Sequence, residues 1–139
     1  MSARYESYLL VLMGAISALA VAILFAPWLR TGSATRNSFQ VVQAAERLNV
    51  LPGAQQTVIS VVWAFLPLLA VVGVLLLTIN RFRVAGAMLV LVGFLEAIFG
   101  LVVMNAPQSA DWGAKAGLAV GFTLVVAAVA TTWTTRSTT

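Results

Sequence analysis

The chain has no cysteine and no histidine. Disulfides, thiolate nucleophiles, histidine-ligated haem and the common zinc sites are therefore excluded, because each needs a sulfur or an imidazole. Charge is nearly as scarce, with 9% of the 139 residues charged, four of them acids and eight bases. Acid/base catalysis needs convergent groups, whereas Glu6, Glu46, Glu96 and Asp111 fall in separate segments, so no enzyme, cofactor or metal is expected. The bases behind the net charge of +4 are scattered over loops and ends. A phosphate-tracking surface needs clustered cations, so nucleic acid is not an expected partner.

What the chain has is apolar surface: 61% of its residues are hydrophobic and the mean hydropathy is +1.00. Such values lie outside the range of soluble domains. A helix crossing the hydrocarbon core needs about 20 apolar residues. Segments 8–29, 57–79, 84–104 and 112–133 meet that length and are apolar all round, unlike the alternating strands of a membrane barrel. The expected fold is all-α, a four-transmembrane-helix bundle forming a single integral membrane domain over 1–139, with an outer loop at 30–56 and a polar tail at 134–139. The first segment reads as a span rather than a cleaved signal, its apolar run exceeding the roughly 7–15 residues of a signal core.

Four spans put both termini on one side with the connection "NRFR". Arg4, Arg81, Arg83 and Arg136 lie there, against Arg30, Arg36, Arg47 and Lys115 opposite. The count is tied, and the density of Arg81 and Arg83 favours cytoplasmic termini in a multi-pass cell-membrane protein. Tyr5, Tyr8 and Trp133 suit one interfacial belt and Trp28 and Trp112 the other. Lys115, four residues after Asp111, is the expected partner of that acid.

The outer loop carries a helical pattern over 39–48, Val41, Ala44, Ala45 and Leu48 on one face and Gln40, Gln43 and Arg47 on the other. Ser38 is placed to cap it, Asn49 to end it in a left-handed conformation, and Pro52-Gly53 to turn the chain back. So short a helix is marginal alone. Its apolar side is expected either to rest on the bundle mouth or headgroup layer or to dock another subunit, with Phe39, Val41, Val42 and Leu48 as the docking residues.

Gly86, Gly93 and Gly100 recur every seven residues, and Gly113, Gly117 and Gly121 every four. Small residues let helices approach closely in lipid, so both series are expected to pack helices, of this chain or of a partner. Pro67 is expected to bend the second span.

The stretch "LVGFLEAIFG" sets Glu96 roughly 18 Å from the cytoplasmic end of its helix, near the bilayer midplane. It faces the side of Gly93 and Gly100, and Ser17 and Thr123 reach similar depth as hydrogen-bonding candidates. With no cation at that depth, the acid is expected to stay neutral. It then either ties helices together, meets a polar group of a partner, or exchanges a proton during transport.

The segments "FAPWLRTGSATRNSFQVVQAAERL", "NRFRVAG" and "DWGAKAGL" resemble small four-span membrane proteins of actinobacteria, and the layout is similar to accessory subunits of mycobacterial complexes, in particular those of the Mce lipid importers. The resemblance implies a non-catalytic subunit beside a larger permease, with the bilayer and larger membrane subunits, an Mce-type permease among them, as partners. The alternative is a small proton-coupled transporter that works as an oligomer through Glu96. Four-helix exporters carry their acid in the first helix, whereas here it lies in the third span.

Overall fold

The computed structural model describes residues 3–106 and 108–136, and side chains from 7 to 133 within them. The side chains of Arg4, Tyr5, Glu6 and Arg136 and the end of the tail at 137–139 lie outside the described residues.

Helix α1 runs Ala3–Leu24, five residues short of the expected end. The amides of Phe25 and Ala26 turn back onto the carbonyls of Ala22 and Ile23, at 3.1 and 3.0 Å, and Pro27 cannot prolong the ladder. Apolar residues continue to Leu29, so hydropathy alone overran the helix. The chain instead becomes extended: β1 (Leu29–Thr31) forms a hairpin with β2 (Ala34–Arg36) across Gly32-Ser33. Gly32 takes a positive φ of 61°, which this tight turn asks of glycine.

Helix α2 (Ser38–Arg47) follows, capped by Asn37 rather than Ser38: the Asn37 side chain accepts from the Gln40 amide at 2.9 Å and the Gln40 side chain accepts from the Asn37 amide at 3.0 Å. This reciprocal box satisfies two amides at the helix start. Asn49, at φ 49°, ends the helix, with Val50 N donating to Ala45 O and Asn49 N to Glu46 O. Helix α3 (Gly53–Thr78) starts four residues before its expected beginning and contains Pro67. Asn80, at φ 59°, ends it the same way, Arg81 N reaching Leu76 O at 2.9 Å.

Helix α4 (Phe82–Met104), a short strand β3 (Ser109–Ala110) and α5 (Trp112–Arg136) complete the chain. Strand β3 joins the hairpin in the order β2-β1-β3, pairing Arg30 with Ser109. The all-α expectation therefore missed a small antiparallel sheet, whose strands of two and three residues are too short to show periodicity. The expected polar tail also begins later, since α5 continues to Arg136.

Helices α1, α3, α4 and α5 are long and apolar enough to cross a bilayer, as a multi-pass membrane protein requires. Outward side chains such as Leu12, Phe65, Phe94 and Phe122 are exposed, the surface that lipid covers in a bilayer. The helices form a ring in which α4 packs most closely on α5, α3 lies beside α4, and α1 bridges α3 and α5, so α1 and α4 are diagonal. The sheet and α2 close one end, hereafter the capped end; the α3–α4 turn lies at the other.

Glycine sets the α4–α5 spacing. A Cβ on Gly93 would lie 2.5 Å from the Gly121 carbonyl, and a Cβ on Gly121 would lie 2.5 Å from the Gly93 carbonyl. Gly100 meets the Ala114 carbonyl and Gly86 the Thr132 methyl, so α5 of the same chain fills the whole Gly86–Gly93–Gly100 stripe. Gly113 and Gly117 do not continue this contact. Gly113 abuts the Pro27 carbonyl, to which its amide donates at 2.8 Å, and Gly117 accommodates the Trp28 ring, which a Cβ there would meet at 2.5 Å. What receives the first two glycines of the triplet is an extended segment, not a helix.

Candidate functional site

The buried face of α4 carries Ala85, Leu89, Val92, Gly93, Glu96 and Val103 toward the bundle interior. Glu96 is the one acid on this face, and it is fully buried, at 0% exposure. Neither of its oxygens has a hydrogen-bond partner among the described residues, and the buried hydroxyl of Ser17 on α1 has none either. Both side chains turn inward from diagonal helices. Glu96 lies roughly 12 Å below the capped end of α4 and Ser17 roughly 10 Å below that of α1. They share a level of the bundle without bonding to one another.

Thr123, the other candidate partner of the acid, faces away from it. Its hydroxyl is exposed and donates to the Ala119 carbonyl of its own helix at 2.8 Å. The reason is rotational: two residues separate it from Gly121, about 200° around a helix, so if one faces α4 the other faces outward. Depth along the axis, which the sequence shows, does not give azimuth.

Toward the capped end, an aromatic cluster covers the interior. Trp63 and Phe99 have ring centroids 4.2 Å apart, Trp28 and Phe99 5.4 Å, and Trp28 and Trp63 6.3 Å edge to face. Trp28 is at 0% exposure, so it is not a residue of the interfacial belt as its position near the end of the first span suggested. The break after Leu24 turns the chain inward, and Gly117 leaves room for the ring. Trp112, by contrast, is exposed.

Both indole N–H groups of the cluster are committed. Trp28 Nε1 donates to the Ile23 carbonyl at 2.7 Å, and Trp63 Nε1 donates to Ser38 Oγ at 3.0 Å. Ser38 Oγ in turn donates to the Leu24 carbonyl at 2.7 Å, so the end of α1, the start of α2 and the middle of α3 share one buried hydroxyl. Neither indole donates to Glu96.

Helix α2 rests on α3 through a stripe that includes Val42 of the expected docking residues but is otherwise different from the expected face. Ser38 and Val42 are buried, and the Glu46 carboxylate accepts from the Ser60 hydroxyl at 3.2 Å, so contacts recur every four residues. Phe39 and Val41 are half-buried, with Phe39 against Phe25 at 5.1 Å, while Leu48 is 73% exposed. Two of the three positions on the contacting stripe are polar, which hid it from a hydropathy reading. The box residues in "RNSFQ" were visible as an Asn three residues before a Gln, and that signal locates the helix start correctly. Gln56 was not singled out, yet it is buried and donates to the Val42 carbonyl at 3.3 Å.

The partner of Asp111 is Arg30, not Lys115. Arg30 Nη2 lies 3.1 Å from Asp111 Oδ2, because the β1–β3 pairing sets Arg30 opposite Ser109 and brings Asp111, whose amide donates to the Trp28 carbonyl, diagonally across from it. Asp111 Oδ1 also accepts from the Trp112 amide at 2.8 Å. That backbone bond first, and then the Arg30 guanidinium, hold the Asp111 carboxyl below its ordinary range, with Lys115 adding a smaller pull.

Among the described residues no three metal-ligating side chains come together. The central site offers one buried carboxyl and one buried hydroxyl, able to hold a proton and to hydrogen-bond a polar group that enters. Compared with known proteins, the chain matches no family model, no curated protein and no solved structure.

Proposed function

We propose that this chain is a non-catalytic accessory or assembly subunit of a larger membrane complex, and that the complex is a lipid importer of the Mce type. The resemblance of its loop and helix-start segments to such subunits supports the second half. The observation that carries the first half lies at the capped end: Leu48 and Val50, 73% and 63% exposed, stand on the turn that ends α2, beyond the spans. Apolar side chains presented there are suited to a partner's surface. In this reading the capped end faces outward from the cell membrane, the termini are cytoplasmic, and the permease is the contacted partner.

Purification from native membranes in mild detergent tests it. The permease of a lipid importer should be recovered in fixed ratio with the chain, and Leu48→Ser with Val50→Ser should lower that ratio severalfold while the bundle stays folded. Recovery as a homo-oligomer without larger subunits would overturn the proposal.

A second reading, proton-coupled transport by an oligomer, is favoured by one observation, the wholly buried carboxyl of Glu96, which has no hydrogen-bond partner among the described residues. Transport by the purified chain in vesicles, abolished in Glu96→Gln, would establish it.

A further inference from the structure

We propose that the groove between β2 and α2 binds the phosphodiester headgroup of an anionic phospholipid. The groove is open-sided, has a volume of about 350 Å³, and is lined by Arg36, Arg47, Gln40, Gln43 and Thr35. Arg36 and Arg47 are eleven residues apart in sequence and belong to a strand and a helix; the junction between β2 and α2 makes both residues line one recess.

The charge in this recess is uncompensated. Of the two acids near the capped end, Glu46 turns to Ser60 on α3 and Asp111 pairs with Arg30, and neither lines the groove. Among the described residues, Arg36 and Arg47 have no ion pair. Gln40 spends its side-chain carbonyl oxygen on the Asn37 amide, which leaves its NH₂ to donate. Two planar guanidiniums and an amide donor are the groups that grip phosphate oxygens, and arginine does so in bidentate fashion.

The depth selects the source of the phosphate. Helix α1 ends at Leu24 and α3 begins at Gly53, so the groove lies where the apolar spans stop, at the level of lipid headgroups. Phe25 and Trp112, both exposed, mark the same level with interfacial aromatic side chains. A zwitterionic headgroup would bring an ammonium to a recess that has no acid to receive it, whereas an anionic one brings only the phosphate charge. The inference needs the spans to lie in a bilayer and is independent of the accessory-subunit reading.

The experiment uses the full-length chain in detergent micelles, with bound lipid counted by native mass spectrometry in the presence of equal phosphatidylglycerol and phosphatidylcholine. Phosphatidylglycerol should be preferred, and Arg36→Gln and Arg47→Gln should each weaken that preference about fivefold, corresponding to about 1 kcal/mol per interfacial arginine. Arg83→Gln, at the opposite end of the bundle, should leave it unchanged. Inorganic phosphate added in excess should not displace the lipid; displacement would make this a free-anion pocket and overturn the lipid proposal. Equal binding of the two lipids, or a preference that survives both substitutions together, would overturn it as well. Circular dichroism and gel filtration of each variant separate a lost site from a lost fold.

Discussion

Ser38 accepts a hydrogen bond from the indole of Trp63 at 3.0 Å, joining the first turn of α2 to the middle of α3. Because the same hydroxyl donates to the Leu24 carbonyl, it completes the hydrogen bonding of two groups that the fold buries.

Ser38→Ala leaves the indole N–H and the Leu24 carbonyl without that partner in a buried environment. The expected cost is about 1–3 kcal/mol, measured by unfolding in mixed micelles, with a change in tryptophan fluorescence as Trp63 shifts. Unaltered stability and fluorescence would contradict the shared-hydroxyl arrangement.

The glycines of the α4–α5 contact should be far less tolerant than a glycine elsewhere. Gly121→Ala drives a methyl into the Gly93 carbonyl and the Ala97 amide, backbone groups that cannot rotate away, for an expected loss of about 1–3 kcal/mol. Gly14→Ala, with nothing within 4 Å of the added carbon, should instead be neutral or stabilise α1 by about 0.5–1 kcal/mol. Thermal unfolding of the two variants side by side checks the contrast.

Acidification should weaken the capped end. The Asp111 carboxyl titrates below its ordinary value in the folded chain, so its stabilising contribution is fully present above the unfolded value of about 3.9 and is lost as pH falls through the folded one. Stability measured from pH 7 downward should therefore decline in the acid range, and Asp111→Asn should flatten that part of the curve.

Glu96→Leu should fold at least as well as the parent, since neither carboxyl oxygen forms a bond within the described residues and an apolar side chain is cheaper to bury. Glu96→Gln should match the parent in stability to within about 1 kcal/mol. Because the side chain is wholly buried, partner recovery should be unchanged in both variants, and a folded Glu96→Gln that loses proton-coupled transport would favour the second reading. A large stability loss in both would mean the carboxyl is bonded inside the chain after all.

Much of the fold was readable from local signals. The hydropathy of four segments, the asparagine that ends α2 and the glycine spacing of α4 each express a rule that acts within one helix or one turn. The site was readable only in outline: the burial cost of an acid at mid-helix marks Glu96, but its surroundings depend on which way other helices are turned. Thr123 shows this, at a depth matching Glu96 yet on the outward face of α5. Trp28 shows it too, since an aromatic residue at the end of an apolar run looks interfacial until the chain bends inward beneath it.

What the sequence by itself determined is that the chain has four helices long and apolar enough to cross a bilayer, because length and hydropathy act within each segment, and that α2 must lie against something, because ten residues do not hold a helix alone. Only the tertiary structure decided that Arg30 takes Asp111, that Gly113 and Gly117 receive Pro27 and Trp28, and that Arg36 and Arg47 meet in one groove. Those pairings join residues whose separation along the chain has no fixed relation to their distance in space. They follow from changes of chain direction such as those at Pro27, Gly32 and the Asn37 junction between β2 and α2, which act over a few residues and rearrange everything beyond them.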